Sequence, residues 1–539
     1  MMYDVSSRSL GAALIALSAV LAPASLVGAA SPTPKSGGIL TLMQREPLPS
    51  MSIHEEATIS TVWPMIPCYN NLVLFDPLKP QESLDTIVGE LAERWEWQDG
   101  GKALAFHLRK GVKWHDGQPF TSTDVKHTFD TVREAPGITA KLRVNPRKLW
   151  YENVAAIDAP DPATAIFRLK RPQPSLLLML ASGYSPVYPA HVPVAQLRTK
   201  CVGSGPFRVK EHKPGESLEL ERNPDYFVKG RPYLEGLRYI PIKDRATKFA
   251  ALQAGRLDVS FPGDANKTIA EQVKQAVPQM VVQVSSENVN DNIIMNHKKP
   301  PFNDARVRRA ISLAIDRKAF VQAVHQGGAA PGGAMAPKPY GVWGLSPQQL
   351  ASLPGYGDAA KEKAEAKKLL AEAGFGPGKP LKVVMSTRAI PIYLDFASFV
   401  VDQLKQVGIE ATLEQVETGV WHPKVTRGEF DIGANLTGIG PDDPDANFFE
   451  NFKCGSPRNY GNYCNPEVDR LIEEQSQTLD PAKRLRLVQA LDQRIQLEGA
   501  RPIMGWRTFY FLHWPHVKNL VAHQSIYNFG RMQEVWLDK

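Results

Sequence analysis

The chain has 539 residues, more than a single hydrophobic core ordinarily holds, so we expect two or three domains. Its composition is that of a globular protein, with 43% hydrophobic and 22% charged residues and with 44 prolines and 40 glycines scattered along it. The formal net charge is +7, but the basic residues form no stripe interleaved with aromatic residues. The composition therefore gives no sign of nucleic-acid binding.

The N-terminal residues 1–30 have the pattern of a secretory signal peptide. Arg8 precedes an uncharged run, LGAALIALSAVLAPASLVGAA, whose most apolar part is shorter than the roughly 20 residues that span a bilayer. Small residues and then the polar SPTP follow this run. No later segment has an apolar run long enough to span a membrane. We therefore expect a soluble mature protein that is exported to the periplasm.

Export makes disulfides possible for the four cysteines. Cys454 and Cys464 would close a short loop, and such a bond stabilises a fold by roughly 3 kcal/mol in the chain-entropy model. A zinc site is the alternative, but zinc is ordinarily bound by ligand pairs a few residues apart, and neither cysteine has such a partner. We therefore favour a disulfide. A second bond between Cys68 and Cys201 is compatible with the sequence, which does not fix the connectivity.

Strand-like and helical segments alternate along the chain, which is typical of an α/β protein. Residues 37–43 and the beginning of 103–114 predict strands. Residues 121–132 predict a helix that starts with a capping box, Thr121 followed by Asp124, and buries one face. This face consists of Val125, Phe129 and Val132. Residues 205–223 alternate on either side of KPGE and predict a hairpin.

The second half of the chain contains stronger helix signals. Residues 303–320 have Asn303 or Asp304 as a cap, followed by an apolar stripe at helical spacing. The stripe consists of Val307, Ala310, Ile311, Ala314 and Ile315. Asn465-Pro466 and Asp480-Pro481 each place a cap before a proline, the usual start of a helix.

Five segments, taken in order, resemble the family 5 extracellular solute-binding proteins of ABC importers, the oligopeptide, dipeptide and nickel receptor family. One such match is weak, but five in the family's order are specific, and together they cover about residues 37–510. The matching segments are residues 89–125, 202–227, 249–259, 296–321 and 463–495.

The resemblance implies a two-lobed periplasmic-binding-protein fold, type II, of the large cluster with an extra subdomain in lobe one. Lobe one would contain residues 31–285 and 507–539, with the extra subdomain at about 60–185. Lobe two would contain residues 286–506. The chain would cross between the lobes at both limits, and such a hinge allows closure around a ligand.

The resemblance also implies the main ligand contacts. In dipeptide-binding members, an arginine at the position of Arg388 pairs with the ligand's carboxylate, which suits the planar fork of a guanidinium. An aspartate three residues before the Asp-Pro of an acidic loop holds the α-amino group there, but this chain has Gly440 at that position. Asp442, two residues later, is our candidate to substitute as a ligand contact if the path of the loop differs. If it does not substitute, the amine has no counter-charge. A buried ammonium without a counter-charge costs several kcal/mol. We therefore expect an opine-like, modified or otherwise non-standard ligand with an acidic end.

Other side chains are weaker candidates for the ligand site. An aromatic ring in a cleft stacks on a ligand, and an asparagine both donates and accepts hydrogen bonds, but core packing is at least as good an interpretation of these positions. The candidates are Trp421, Asn435 and Tyr69. The loop 44–56 follows the first strand and faces the cleft in this fold, so it adds three more. These are Arg45, Glu46 and His54.

We therefore predict a periplasmic receptor that captures a small peptide-like or opine-like solute and delivers it to the permease of an ABC importer. We expect a monomer without a cofactor and without stable membrane insertion. One alternative is a receptor of the same fold for a metal or a nickel-type chelate, although no ligand cluster has the needed spacing. The other is an exported hydrolase, but the chain has no G-x-S-x-G motif and no visible nucleophile–base pair.

Overall fold

The computed structural model describes residues 33–539, so the predicted signal peptide lies outside the described residues. The strands are β1 (Ile39–Gln44), β2 (Val73–Phe75), β3 (Ile87–Gly89), β4 (Ala92–Gln98), β5 (Ala103–Leu108), β6 (Val154–Asp161), β7 (Thr164–Leu169), β8 (Phe207–Lys213), β9 (Ser217–Arg222), β10 (Gly236–Pro241), β11 (Val281–Met295), β12 (Ala329–Ala330), β13 (Leu381–Arg388), β14 (Ile409–Val416), β15 (Ile432–Gly438), β16 (Ile503–His513), β17 (Val517–Lys518) and β18 (Trp536–Leu537). The α-helices are α1 (Ile59–Met65), α2 (Ser122–Val132), α3 (Ser175–Ala181), α4 (Arg245–Gln253), α5 (Lys267–Ala276), α6 (Ala305–Leu313), α7 (Arg317–His325), α8 (Pro347–Ala351), α9 (Ala359–Glu372), α10 (Pro391–Gln406), α11 (Thr418–Thr426), α12 (Pro444–Asn451), α13 (Pro466–Gln477) and α14 (Pro481–Leu497).

The first sheet contains the first strand and the predicted hairpin, in the order β1-β10-β9-β8. β1 runs parallel to β10, and the other neighbours are antiparallel. Leu40 and Leu42 of β1 are fully buried, as the period of two in a strand requires for one core-facing side. The hairpin predicted over 205–223 is confirmed.

The second sheet has six strands in the order β12-β16-β11-β15-β13-β14. Its parallel strands β13 and β14 are connected through α10, which packs on the sheet. The long strands β11 and β16 are antiparallel, and single bridges from Val259 to Leu42 and His513 tie the end of β16 to the first sheet. Both sheets are therefore connected through these strands. The lobe limits given above, at residues 285 and 507, remain predictions.

A third sheet, in the order β4-β5-β7-β6, is antiparallel throughout and lies within the stretch where the extra subdomain is predicted. Helix α2 contacts its strands β6 and β7. The capping box of α2, formed by Thr121 and Asp124, is confirmed. The predicted apolar face of α2 is buried, namely Val125, Phe129 and Val132.

The helix predicted over 303–320 is interrupted. Asp304 caps α6, which ends at Leu313, and Asp316 then caps a separate helix, α7. Ala314 and Ile315 are buried at the junction, so the apolar stripe continues although the helix does not. The two predicted starts at Asn465-Pro466 and Asp480-Pro481 are confirmed, as α13 and α14.

Both cysteine pairs form disulfides, Cys454 with Cys464 and Cys68 with Cys201. The predicted first pair is therefore confirmed, and the second pair, which the sequence left open, is settled in the same way. Among the described residues, the helices are all too short or too polar to cross a bilayer.

Candidate ligand cavity

Two neighbouring cavities, an inner and an outer chamber, lie between the loops after β1 and the residues of the second sheet, and they share Ala57, His422 and Arg458. The space open to the centres of water molecules is about 20 Å³ in the inner chamber and about 40 Å³ in the outer one. A ligand larger than a few waters therefore fits only when side chains of the lining move. The inner chamber has four arginines and no Asp or Glu in its lining. Its polar lining residues are Arg45, Thr58, Arg388, Tyr393, His422, Arg458, Arg507 and Tyr527.

Arg388 is the last residue of β13, and its guanidinium has four hydrogen-bond partners, of which the most distant is Thr58 Oγ1, 3.4 Å from Nη2. Nε donates to Thr418 Oγ1 and Nη1 to the hydroxyl of Tyr393, both at 2.8 Å, and Nη2 donates to Glu46 Oε1 at 2.6 Å. Burial opposes the charge, but Tyr393 and Glu46 outweigh it and raise the pKa of Arg388. Arg388 therefore stays a cation in an almost fully buried position.

Glu46 occupies the place at Arg388 that the family resemblance assigns to a ligand carboxylate. It follows β1 in the first sheet, whereas Arg388 belongs to the second. Besides Arg388, its carboxylate accepts hydrogen bonds from Ser60 and Thr418. The side chains of Glu46 and Arg388 are 5% and 3% exposed. A carboxylate thus fits this site, and here the protein supplies it.

The other three arginines of the inner chamber have carboxylates behind them. Arg45 lies 2.7 Å from Asp264, and Arg507 lies 3.6 Å from Glu287. Arg458 likewise pairs with Glu450 at 2.5 Å. Because these acids do not line the chamber, the arginines present the positive charge to the cavity.

The disulfide loop carries part of the cavity wall. Cys454 and Cys464 close a loop that contains Arg458, in the inner chamber, and Tyr460, in the outer one. The Tyr460 hydroxyl lies 3.0 Å from Nδ1 of His422. Burial, and then the positive charges of Arg388, Arg458 and Arg147, hold the pKa of His422 well below its usual value. His422 is therefore neutral and offers hydrogen bonds rather than charge.

Gly440 leaves no room for the aspartate that dipeptide-binding members have at this position. A Cβ atom here would lie 2.7 Å from Ser182 Oγ and 3.0 Å from the ring of Trp150. Its carbonyl accepts a hydrogen bond from Asn528 at 3.1 Å. The space in which an acid would hold an amine is filled by packing.

Asp442, the acid two residues after Gly440, is hydrogen-bonded to another part of the chain in this structure. It lines neither chamber, and its carboxylate accepts a hydrogen bond from the backbone of Val342 at 3.0 Å. Burial, opposed by that hydrogen bond and assisted by the charge of Asp443, raises the pKa of Asp442 to about 7. The role of Asp442 as a ligand contact stays a prediction.

The other two acids next to Asp442, Asp443 and Asp445, make structural contacts. Asp443 caps α12 and binds both terminal nitrogens of Arg484, at 2.9 and 3.0 Å. Asp445 is fully buried and accepts hydrogen bonds from Ser175 at 2.6 Å and from Ser476 at 2.7 Å. This aspartate therefore connects α3 with α13 through hydrogen bonds. The roles of Asp443 and Asp445 are thus structural.

Among the weaker candidates, Arg45 lines the inner chamber, whereas four others are buried and line neither chamber. Tyr69 packs against Tyr188 with ring centroids 4.9 Å apart and the rings tilted by 35°, and Trp421 is fully buried in a small apolar cluster. Asn435 donates to Thr437 within β15 at 3.0 Å, and His54 bonds the Pro186 carbonyl at 2.7 Å. Roles in ligand binding for these residues stay predictions. Sequence reasoning did not single out further lining residues, namely Tyr393, His422, Arg458, Arg507 and Tyr527.

One group of possible metal ligands comes together among the described residues. The ligand atoms of Cys68, His115 and Cys201 lie within 4.8 Å of one another, but the two cysteines are joined in a disulfide. None of the three residues lines the inner or the outer chamber. The group therefore offers no support for a metal site in the cavity.

The chain is similar to known solute-binding proteins over most of its length. A putative ABC transporter peptide-binding protein of Brucella ovis is 28% identical, with 79% of each chain covered. The structure of the oligopeptide-binding protein AppA from Bacillus subtilis in complex with a nonapeptide matches with a TM-score of 0.81 and 24% identity, covering 94% of this chain and 100% of that one. The binding protein AgaA from A. tumefaciens R10, in complex with agropinic acid, matches with a TM-score of 0.80 and 21% identity, covering 93% and 99%.

The two structural matches give this chain the two-lobed fold of the periplasmic binding proteins, which confirms the predicted fold class. The model of the family called bacterial extracellular solute-binding proteins, family 5, matches residues 86–459. This match covers more than half of the chain and contains four of the five segments recognised in the sequence, all except 463–495. The chain belongs to family 5 of the bacterial extracellular solute-binding proteins.

Proposed function

We propose that the protein is the periplasmic receptor of an ABC importer for a small acidic solute of the peptide or opine class. Membership of family 5 makes it an extracellular solute-binding protein, and the class of solute is our proposal. The observation that carries it is the inner chamber, with four arginines and no acid in its lining. Such a chamber favours an anionic ligand and disfavours a cationic one.

The carboxylate of the solute binds Arg388 and replaces Glu46 there. Arg388 is held in position by Thr418 and Tyr393, so its remaining nitrogen is presented in a fixed direction. A preorganised guanidinium binds a carboxylate with a charge-assisted hydrogen bond, the stronger kind. Closure of the two lobes around the bound solute then produces the form that the permease recognises.

The solute lacks a free α-ammonium group. The position of the family's amine-binding acid is Gly440, which is packed against Ser182 and Trp150. The AgaA structure, solved with agropinic acid, shows that this fold accommodates a ligand other than a peptide. An opine or an amine-blocked peptide therefore fits the cavity better than an ordinary dipeptide.

The alternatives receive less support. A nickel-type receptor needs a metal or chelate site, and the metal-ligand group among the described residues lies outside the cavity. A hydrolase needs a nucleophile with a base, whereas the compared proteins are binding proteins.

Calorimetric titration tests this proposal. The mature protein, refolded to remove carried-over ligand, is titrated with a dipeptide, with its N-acetyl form and with an N-carboxyalkyl amino acid of the opine type. We expect one or both of the amine-blocked acids to bind and the free dipeptide to be at least about tenfold weaker, a difference of about 1.4 kcal/mol.

Arg388→Ala should weaken this binding about 100-fold, as expected for the loss of a charge-assisted pair. The control is Arg427→Ala, which removes an exposed arginine that pairs with Glu429 on the surface. Tight binding of the free dipeptide, unaffected by Arg388→Ala, would contradict both the ligand class and the site.

A further inference from the structure

The C-terminal segment contributes an aromatic ring, that of Tyr527, to the wall of the inner chamber. Tyr527 belongs to the described stretch 519–535, which connects β17 to β18 without a helix or a strand. Its side chain reaches from this stretch to β15 of the second sheet, where it contacts Gly438. The ring therefore lies where the C-terminal segment and the second sheet meet at the chamber.

The ring of Tyr527 is held on two sides. One face stacks on Tyr184, with ring centroids 4.6 Å apart and an angle of 29° between the planes. The guanidinium of Arg147 covers Tyr184 in turn, 3.5 Å from its ring centroid. The hydroxyl end of Tyr527 lies over Gly438, where a Cβ atom would be 2.3 Å from its Cε2 and Oη atoms. Non-bonded carbon atoms normally lie about 3.5–4.0 Å apart, so a glycine is needed at 438 to give the ring its place.

This end of the ring lies among the charged groups of the chamber. Burial opposes the charge of Arg388, but Tyr393, Glu46 and, more weakly, Tyr527 outweigh it and raise the pKa of that guanidinium. Burial also raises the pKa of Tyr527 itself, and Arg458 is the strongest charge acting in the opposite direction. The hydroxyl of Tyr527 is therefore close to both arginines, in the region where the acidic end of the solute binds.

The chamber has little room beside Arg388. The space open to the centres of water molecules is only about 20 Å³. When Glu46 withdraws, it frees the place of one carboxylate and its short stem. The neighbouring arginines do not yield easily, because Arg45 pairs with Asp264 at 2.7 Å in a buried position. A bulky group next to the solute's carboxylate therefore overlaps with the ring of Tyr527, and overpacking of this kind is destabilising.

We propose that Tyr527 determines the size of the solute group next to the bound carboxylate, so that the solute ends in a small residue such as glycine or alanine. This inference rests on the proposed function, in which the carboxylate binds Arg388. The carboxylate enters the place of Glu46, and the ring of Tyr527 excludes a bulky side chain beside it. The solute is then an amine-blocked acid with a small acidic end.

Two pairs of ligands test this proposal with the mature protein. One pair is N-acetyl-alanyl-alanine and N-acetyl-alanyl-phenylalanine. The other is N-(1-carboxyethyl)-alanine and N-(1-carboxy-2-phenylethyl)-phenylalanine, in which the group next to either carboxylate changes. In calorimetric titration, we expect the small member of at least one pair to bind about tenfold or more tightly than the bulky member, since the bulky one overpacks the chamber.

Two variants assign this preference to Tyr527. Tyr527→Ala should lower the ratio of the two affinities about tenfold or reverse it, because a cavity left by an aromatic side chain accepts an aromatic group. The ratio within a pair is unaffected by a loss of affinity common to both ligands. Tyr510→Ala is the matched control, because Tyr510 is a partly buried tyrosine that lines neither chamber. In this control the ratio should stay as in the wild type.

Equal affinities within both pairs in the wild type, or tighter binding of the bulky members, would overturn the role of Tyr527. A ratio that Tyr527→Ala leaves unchanged, or that Tyr510→Ala lowers as much, would also overturn it. In each of these cases, binding that depends on Arg388 would leave the proposed function intact. Tyr527→Leu replaces Tyr527→Ala if the latter does not fold, and the wild-type ratio decides the matter if neither folds. Failure of all four compounds to bind would refute the role of Tyr527 together with the acidic-solute proposal.

Discussion

Replacing Glu46 by glutamine tests whether the protein's own carboxylate competes with the ligand for Arg388. The change keeps the size of the side chain and one acceptor oxygen but removes the charge. Glu46 and Arg388 are almost fully buried, with donor and acceptor 2.6 Å apart. Removing one partner of a buried ion pair costs about 3–5 kcal/mol. Since glutamine still accepts a hydrogen bond, we expect the low end, about 3 kcal/mol, for the unliganded closed form.

The affinity for an acidic solute should then rise. In the wild type, a ligand carboxylate must displace Glu46 from Arg388, whereas in Glu46→Gln it meets a cation that lacks a counter-charge. The gain in affinity is smaller than the lost stability, because the unliganded variant opens and so avoids part of the unfavourable charge. We therefore expect the acidic solute to bind about 10- to 100-fold more tightly, a difference of about 1.4–2.8 kcal/mol. Calorimetry measures the affinity, urea unfolding the stability, and small-angle X-ray scattering the opening of the unliganded variant.

The control is Glu417→Gln. Glu417 also links the two sheets, to Lys243 at 3.1 Å, but the two side chains are 61% and 55% exposed. Such a pair contributes less than about 1 kcal/mol, so neither affinity nor stability should change much. Weaker binding of the acidic solute by Glu46→Gln would refute the competition, because Glu46 would then be part of the ligand site rather than a substitute for the ligand.

Three further predictions concern the acidic loop and its surroundings. Replacing Cys454 and Cys464 together by serine should cost about 2–3 kcal/mol in urea unfolding and weaken ligand binding in calorimetry, because the loop that carries Arg458 is released. Gly440→Asp should lower the unfolding free energy by about 1–3 kcal/mol, since its Cβ has no space, and should leave dipeptide binding unrestored. Asp442 has a pKa of about 7 in the native state against an ordinary value of 3.8, so the native state binds the extra proton and stability is lost as the pH rises between these values. Asp442→Asn should therefore be more stable than the wild type at pH 8, by at most about 4 kcal/mol, and similar to it at pH 3 in urea unfolding.

The local parts of the fold were predictable from the sequence. A cap and a proline at the first helical position are adjacent in the sequence, so the starts of α13 and α14 are encoded where they occur. The break after α6 was missed because Ala314 and Ile315 are buried as the stripe predicts. The local signal was Asp316, whose side chain caps α7. The spacing of apolar residues shows which side chains are buried, but it does not show whether the backbone stays helical between them.

The ligand cavity was predictable only in part. Arg388 was identified through the family resemblance, and the missing acid at Gly440 through comparison with the same pattern. The partner of Arg388, Glu46, lies 342 residues away in the chain, and no local pattern relates them. The position of Arg458 within the disulfide loop can be read from the sequence. A loop arginine is ordinarily solvated, however, and only the fold places this one in a cavity.

The position of the acidic loop explains how ligand chemistry and closure are connected. Asp445 receives hydrogen bonds from Ser175 on α3 and from Ser476 on α13, so it fixes the residues on both sides of it without contacting the cavity. The disulfide after this loop places Arg458, whereas the pair of Glu46 and Arg388 joins the two sheets directly. Arg388 therefore takes part both in ligand binding and in the contact between the two sheets, because the solute carboxylate replaces Glu46 there. A change of ligand class at Arg388 thus also changes a contact that joins the sheets, whereas the contacts of Asp445 and the disulfide stay the same.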